Sequence, residues 1–420
     1  MPGGEIEAVW RIEAPRVIAG LTRIVRDVGL AEDLAQDALV AALEQWPRDG
    51  VPRNPGAWLM AAAKHRAIDH FRRAKRIDRK HEQLGYEAGA HHDAPDFDAA
   101  LDDDVGDDLL RLIFTSCHPV LPREARAALT LRLLGGLTTD EIARAFLAPE
   151  PTIAQRIVRA KRALAKARVP FEVPQGAVLH ERLASVLEVI YLIFNEGYTA
   201  TAGSDWMRPS LCEESLRLGR VLAGLMPGEP EVHGLVALME IQASRASARV
   251  GAGGEAILLL DQNRARWDQL LIRRGLNALE KAERLGGANG PYVLQAAIAA
   301  CHARARTADE TDWTRIARLY AQLARVMPSP IVELNRAVAV GMAEGPAAGL
   351  AIVDSLAAEG MLAAYAWLPS VRGDLLSKLG RSDEARREFE RAASLTRNER
   401  DRALLVARAT AERRPARAAE

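Results

Sequence analysis

The sequence predicts an all-α fold in which two small helical domains, joined by an acidic linker, are followed by a longer helical extension. Apolar residues recur at three- and four-residue spacing nearly everywhere, while β-branched alternation is scarce. Ala, Leu, Arg and Glu, which favour helices, dominate the composition. The 420 residues suit two or three domains, and 49% apolar residues are enough to fill their cores.

The first informative element is a helix from Leu30 to Trp46. One of its sides is apolar, and the other carries Glu32, Asp33, Gln36 and Asp37. Residues 47–56 are rich in proline and glycine, so we expect the helix to stop there. A second helix is predicted from Ala57 to about Arg79.

Residues 81–108 have a different character, because they contain ten acidic residues and no Lys or Arg. This composition predicts a solvated linker. A compact helical unit is expected from Leu109 to about residue 169, and prolines within residues 169–176 predict a boundary before the extension at 177–420.

The strongest local signal lies at residues 137–164. Thr138 and Glu141 have capping-box spacing and predict the start of a short helix. A tight turn without glycine follows, and Pro151 suits the first turn of a second helix. This arrangement predicts a helix-turn-helix, in which one helix braces and the other presents polar and cationic side chains to a major groove.

Two basic segments flank the acidic linker. Residues 151–168 contain six cationic residues and no acid, and residues 64–80 contain eight cationic residues against two acids. A solvated basic face would explain either segment alone. Together they favour a nucleic-acid-binding protein with two contact surfaces and salt-dependent affinity.

The C-terminal part contains a repeat. Residues 375–395 match the latter part of a tetratricopeptide repeat, with Ala385, Phe389 and Ala392 at its small and apolar positions. A shift of 37 residues aligns Ala348 and Ile352 with the first two, which predicts a degenerate copy. The repeats are clearest at 335–395.

Other observations argue against several classes of protein. The cysteines Cys117, Cys212 and Cys301 are too widely separated for a disulfide framework or a CxxC-type metal site. Catalytic motifs of the HExxH, GxSxG and phosphate-loop types are absent, and adjacent helical residues such as Cys117 and His118 point about 100° apart. We expect a non-enzymatic, cytoplasmic protein without metal, cofactor, signal peptide or membrane segment.

The order of these elements resembles a known family. The chain contains, in this order, LAEDLAQDALVAALEQW, a proline/glycine loop, NPGAWLMAAAKHRAIDHFRR, an acidic linker and a helix-turn-helix. Over residues 5–168 this combination is similar to a sigma-70 family RNA polymerase sigma factor of the extracytoplasmic-function type. Later segments such as VLEVIYLIFNEGY and SPIVELNRAVAV resemble the subgroup with a long tetratricopeptide-like extension.

The resemblance implies a role for each part. Region 2 at residues 5–80 would dock on the RNA polymerase core at the β′ clamp through Glu32, Asp33, Gln36 and Asp37. The same region would read and open the −10 promoter element through Arg53, Asn54, Trp58, Lys64, Arg66, Asp69, Arg72 and Arg73. Region 4 at residues 109–169, which would also meet the β flap, would read the −35 element through Thr152, Gln155, Arg156, Arg159 and Arg162. The linker would thread through polymerase channels, either as a tether or as a mimic of nucleic acid.

Two questions stay open at this point. The extension is expected to contact the sigma core, the polymerase or a signalling protein and to modulate activity. A helix-turn-helix regulator or repeat-type scaffold that does not bind polymerase would also account for residues 109–168 and the repeats. It would leave the acidic helix, the proline loop and the first basic segment unexplained.

Overall fold

The computed structural model describes residues 2–83, 105–199, 207–251, 257–360 and 362–412, and all of the regular elements within these ranges are helical. The predicted all-α fold class is therefore confirmed. The chain divides into two compact units, residues 1–192 and 193–420. Within the described ranges, each helix is too short or too polar to cross a bilayer.

The first unit contains seven complete helices and the start of an eighth. Their bounds are α1 Pro2–Val25, α2 Val28–Asp49, α3 Pro55–Gln83, α4 Val105–Ser116, α5 Arg123–Leu133, α6 Thr139–Ala145, α7 Glu150–Lys166 and α8 Gly176–Tyr198. Helices α1, α2 and α3 pack against one another, and α1 also packs against α4. Buried Trp10, Leu21, Leu34 and Leu59 fill the space between them.

The break expected at residues 47–56 is shorter than predicted. Helix α2 includes Pro47 and continues to Asp49, because a proline in the last turn removes only one late hydrogen bond. Gly50 ends the helix with φ of 84° and donates its N–H to the carbonyl of Trp46 at 2.9 Å. Only residues 50–54 separate α2 from α3.

Helix α4 begins at Val105, earlier than the expected Leu109. Asp107 and Asp108 lie in its first turn, where carboxylates are favoured by the helix dipole. These two residues of the expected linker are therefore helical, while the acidic residues at 84–104 lie outside the described residues.

Helix α8 caps the end of α4. Arg182 donates to the carbonyl oxygen of Phe114 at 2.7 Å, and Ser185 donates to that of Cys117 at 2.6 Å. The last carbonyls of a helix have no partner within the helix, so these bonds satisfy acceptors that would otherwise be buried without one. This explains why the division between units lies after Leu192 rather than at the prolines of 169–176.

The second unit is a succession of helices that pack on their neighbours in the chain. Their bounds are α9 Pro209–Leu225, α10 Pro230–Ala243, α11 Gln269–Arg284, α12 Pro291–Arg304, α13 Trp313–Val326, α14 Pro330–Ala343, α15 Pro346–Glu359, α16 Trp367–Lys378, α17 Ser382–Leu395 and α18 Glu399–Ala411. From α13 to α18 each helix packs on the next. Five of the helices begin with proline, whose fixed φ suits the first helical position.

The positions predicted from the repeat are buried in the clearer copy and are shifted by one residue in the other. Ala385, Phe389 and Ala392 are fully buried between helices, as the motif requires. In α15, however, Ile352 is only partly buried and the buried positions are Gly349, Val353 and Leu356. The copies are therefore offset by 36 residues rather than 37. The sequence did not fix this alignment to one residue, because Ala348 and Ile352 lie next to Gly349 and Val353, which are equally small or apolar.

A buried histidine lies where α12 meets α13. The His302 ring packs edge-on against Trp313 with 5.2 Å between ring centroids. Burial, together with the charges of Arg245 and Arg264, lowers the pKa of His302 to about 3. The imidazole is therefore neutral in the folded protein at physiological pH.

Candidate nucleic-acid interface

The helix-turn-helix forms as its local sequence predicts. Thr138 Oγ1 accepts the N–H of Glu141 at 3.2 Å, and Glu141 Oε2 accepts the N–H of Thr138 at 2.8 Å. This capping box starts α6. The glycine-free turn is closed by Leu147, which adopts φ of 47° although it carries a side chain.

Helix α7 separates an apolar stripe from a cationic side. Ile153, Ile157, Ala160 and Leu164 are buried, as predicted. Of the residues expected to read the −35 element, Arg156 is half-buried, and the exposed ones are Thr152, Gln155, Arg159 and Arg162. The exposed side of α7 can therefore offer hydrogen-bond donors and positive charge to a nucleic acid.

Helix α3 carries the second cationic surface. Arg66, Arg72 and Arg73 are exposed, as is Asp69, whereas Lys64 is half-buried. The backbone of α3 continues to Gln83, but the side chains of its last turns lie outside the described residues. With Arg76, which is exposed as well, the described part offers four exposed guanidinium groups.

The loop between α2 and α3 holds two of the expected −10 contacts, Arg53 and Asn54. Arg53 is exposed, while Asn54 Oδ1 accepts the N–H of Ala57 at 3.1 Å and so caps α3. Trp58, in the first turn of α3, packs edge-on against the buried Trp46 with 5.3 Å between centroids. The edge-on contact between the two tryptophans fixes the end of the loop next to α3.

The expected docking face needs one correction. Asp33 and Asp37 are exposed and Gln36 is half-buried, but the side chain of Glu32 is only 4% exposed. Its Oε1 accepts from Arg132 Nε of α5 at 2.6 Å, and its Oε2 lies 2.5 Å from Lys161 Nζ of α7. The second contact is an ion pair without directed hydrogen-bond geometry. Glu32 is therefore not part of an exposed acidic surface.

Asp108 is also buried rather than solvated. It bonds to Arg23 Nε of α1 at 2.9 Å and to Arg111 Nη1 at 2.8 Å. Burial raises the pKa of Asp108, and the two guanidinium groups oppose that effect. This carboxylate belongs to the packing of α1 on α4.

Cys117 is a core residue, and the neighbouring His118 is half-buried. Burial raises the pKa of the Cys117 thiol, which lies 3.4 Å from Thr130 Oγ1. Burial and the charge of Arg182 lower the pKa of His118 to about 4, and His118 Nδ1 accepts the N–H of Val120 at 3.1 Å. A raised thiol pKa disfavours the thiolate that nucleophilic catalysis requires.

Sequence reasoning missed Arg132, Lys161 and the capping residues of α8. Arg132 and Lys161 look like ordinary surface cations in sequence, and their partner Glu32 lies at least 100 residues away from either of them. No local spacing signals such pairs. A hint for α8 was the clustering of Arg182, Ser185 and Glu188 on one helical side.

The comparisons with known proteins agree with this geometry. Residues 10–77 match the family model of sigma-70 region 2, residues 111–164 match that of sigma-70 region 4, and residues 182–283 match a family of unknown function, DUF6596. An uncharacterized protein of Rhizobium meliloti (strain 1021) is 43% identical over 404 residues, which are 93% of this chain and 92% of that protein.

Named relatives cover the N-terminal part. The ECF RNA polymerase sigma factor SigK of Mycobacterium ulcerans is 30% identical over 158 residues, 36% of this chain and 78% of the relative. The RNA polymerase sigma-H factor of Pseudomonas aeruginosa is 29% identical over 162 residues, 37% of this chain and 81% of the relative.

Proposed function

Because this chain belongs to the extracytoplasmic-function sigma factors of the sigma-70 family, we propose that it binds the RNA polymerase core and directs it to promoters with specific −10 and −35 elements. The observation that carries the proposal is the pair of exposed cationic helices, α3 and α7, in one chain with an acidic α2. Two such surfaces suit two DNA elements.

In this proposal α7 reads the −35 element. Thr152, Gln155, Arg159 and Arg162 would contact base edges and phosphates in the major groove, and Arg156 would contribute from its half-buried position. Exposure of these groups at the surface of one helix supports the assignment. Glu150 at the start of α7 is exposed and free to point away from a phosphate.

Region 2 would read the −10 element. Arg53, Lys64, Arg66, Arg72 and Arg73 supply the positive charge for the strands. The remaining assigned positions are Asn54, Trp58 and Asp69. Trp58, held by Trp46, would offer a rigid aromatic edge beside a base extruded from the duplex, which reduces the ordering needed on binding.

Docking on the polymerase would use Asp33, Gln36 and Asp37, with Glu32 as a contact that first has to be uncovered. A carboxylate-rich face favours a basic surface, here the β′ clamp of the core. Region 4 would meet the β flap.

The extension would modulate this activity by contacting the sigma core, the polymerase or a signalling protein. Support for a binding role comes from a groove of about 680 Å³ between α14 and α15, lined by Ser329, Glu333, Arg336, Ile352 and Ser355 among others. Because α8 caps α4, a truncation that tests this role should end at Leu192 rather than near residue 170. Unchanged promoter-directed transcription would exclude modulation.

A reconstitution experiment tests the main proposal. The purified protein is mixed with core polymerase, and transcription is measured on a promoter library that the core alone ignores. We expect co-elution with the core and initiation at a subset of promoters. Lack of both would favour a regulator that does not bind polymerase.

Paired variants test the assignment of surfaces. Arg159→Ala should weaken promoter binding and reduce the salt dependence by about one ion, whereas Arg144→Ala, an exposed cation on α6, should not. Asp37→Asn should weaken co-elution with the core, whereas Asp140→Asn on α6 should not. Equal effects within either pair would contradict the assignment.

A further inference from the structure

Three arginines of the second unit, Arg245, Arg249 and Arg264, form a cluster around two aromatic rings. The guanidinium carbon of Arg249 lies 3.7 Å from the centroid of the Tyr198 ring, and that of Arg245 lies 5.7 Å from the same centroid. Arg245 also lies 5.8 Å from the ring of Trp267, which Arg264 approaches to 5.1 Å. Arg245 therefore shares one ring with each of the other two cations.

Two members of the arginine cluster cap helix ends. Arg249 and Arg264 are each only 7% exposed. Arg249 donates to the carbonyl oxygen of Tyr198 at the end of α8. At the end of α12, Arg264 Nη1 donates to the carbonyl oxygens of His302 and Ala305 at 2.8 and 2.9 Å. The last carbonyls of a helix have no partner within it, so these contacts explain why Arg249 and Arg264 are buried.

The third member, Arg245, is held differently. It follows the end of α10, is half-buried and packs on the two rings. In the part of the chain that the structure describes, its Nε is buried without a hydrogen-bond partner. Cation–π contacts position a guanidinium group but supply no acceptor for its N–H donors. The packing of Arg245 therefore leaves its hydrogen-bonding capacity unused.

The charge of Arg245 acts against both of its neighbours. Burial lowers the pKa of Arg249 and of Arg264, and the charge of Arg245 lowers each pKa further. The carboxylates of Asp401 and Glu310 act in the opposite direction, the first on Arg249 and the second on Arg264. Three guanidinium charges thus face two carboxylate charges, and a site with excess positive charge favours an anion.

Other buried donors lie beside Arg245. Within the described ranges, Arg264 Nε and Trp267 Nε1 are also buried without a hydrogen-bond partner. Unmatched donors of this kind are costly and uncommon in folded proteins. Arg245 and Tyr198 are half-buried, so the cluster is open to solvent at these two side chains. An anion with several oxygen atoms could approach there and accept from the cationic N–H groups.

We propose that Arg245, supported by Arg249 and Arg264, binds a doubly charged phosphate group, either as the free ion or as part of a small phosphate monoester. The planar fork of an arginine matches two phosphate oxygens. A double negative charge also gains more from three guanidinium groups than the single charge of a carboxylate does. The bound group would join the ends of α8, α10 and α12. This proposal does not depend on polymerase or promoter binding.

Calorimetric titration of the full chain tests the proposal. The probes are inorganic phosphate and glycerol phosphate at constant ionic strength, and acetate is the singly charged comparison. The main variant is Arg245→Gln, which removes the guanidinium charge. The matched control is Arg274→Gln, which removes an exposed arginine from α11 in the same unit.

We expect the unmodified protein and Arg274→Gln to bind at least one phosphate probe saturably. Binding should be at least about tenfold weaker in Arg245→Gln, and acetate should bind at least about tenfold more weakly than phosphate. Tighter binding of inorganic phosphate would identify the free ion as the ligand, and tighter binding of glycerol phosphate would identify a monoester. Phosphate held by the exposed cations of α3 and α7 is insensitive to the change at Arg245, so the paired variants isolate the site in the second unit.

Three results would overturn the proposal. They are a lack of saturable binding of both phosphate probes, equal affinity in the two variants, and equal binding of acetate and phosphate. If Arg245→Gln has lost helical content by circular dichroism, hydrogen exchange of the unmodified protein decides instead. Phosphate should then slow exchange at residues 244–249 and 264–267, and protection confined to the first unit would contradict the assignment.

Discussion

The contact between Ser185 and region 4 leads to a quantitative prediction. Ser185 is buried, and its hydroxyl donates to the Cys117 carbonyl at 2.6 Å and accepts from Arg126 Nη1 at 2.5 Å. Ser185→Ala removes both bonds and leaves the carbonyl without that donor, while Arg126 keeps Glu188 at 3.3 Å. The substitution removes one neutral and one charge-assisted hydrogen bond, and the remaining Arg126–Glu188 ion pair offsets part of the loss. The local free energy of unfolding should therefore fall by about 2–3 kcal/mol.

Hydrogen exchange followed by mass spectrometry can measure this loss. At a factor of ten for every 1.4 kcal/mol, amides at the end of α4 and in α5 should exchange roughly 30- to 150-fold faster in Ser185→Ala. Ser355→Ala on α15 is the matched control, because Ser355 is exposed and the same gain in helix propensity applies to both positions. Equal exchange of α4 and α5 in both variants would refute the idea that α8 caps α4.

Three further predictions concern stability. Leu147→Val should lower the melting temperature more than Leu147→Gly, because a β-branched residue is least compatible with φ of 47°; the opposite order in thermal unfolding would contradict the strained turn. Phe389→Ala should destabilise the second unit by about 3–5 kcal/mol in urea titrations, since the ring is fully buried, and a loss below about 1 kcal/mol would mean that the helices close the gap. The pKa of His302 is about 3 in the folded chain and near 6.5 in the unfolded chain. As the pH falls, the unfolded chain therefore binds a proton first, and the contribution of His302 to the free energy of unfolding decreases between pH 6.5 and pH 3. His302→Phe should therefore reduce the pH dependence of unfolding by about one proton between pH 6.5 and pH 3, and an unchanged slope would exclude His302 as its source.

The sequence was most informative where structure depends on near neighbours. Thr138 and Glu141 are three residues apart, so their capping box could be predicted, and the apolar stripe of α7 follows from helical periodicity alone. The end of α2 was missed because Pro47 is tolerated in a last helical turn and Gly50 is what ends the helix.

Contacts between distant parts of the chain could not be predicted in this way. Glu32 lies on the same polar side of its predicted helix as Asp33 and Asp37. No neighbouring residue in the sequence distinguishes it as the carboxylate that contacts Arg132 and Lys161. A solvated glutamate and a buried one have the same letter in a sequence, and the difference arises from which helices pack together.

Burial limits the reactivity of the cysteine thiols. All three cysteines are buried, and burial raises the pKa of each, that of Cys212 to about 12. Oxidants react with thiolates, so burial and a raised pKa both disfavour oxidation of Cys117, Cys212 and Cys301 in the folded chain. Local unfolding that exposes these residues would therefore be needed before an oxidant could modify them readily.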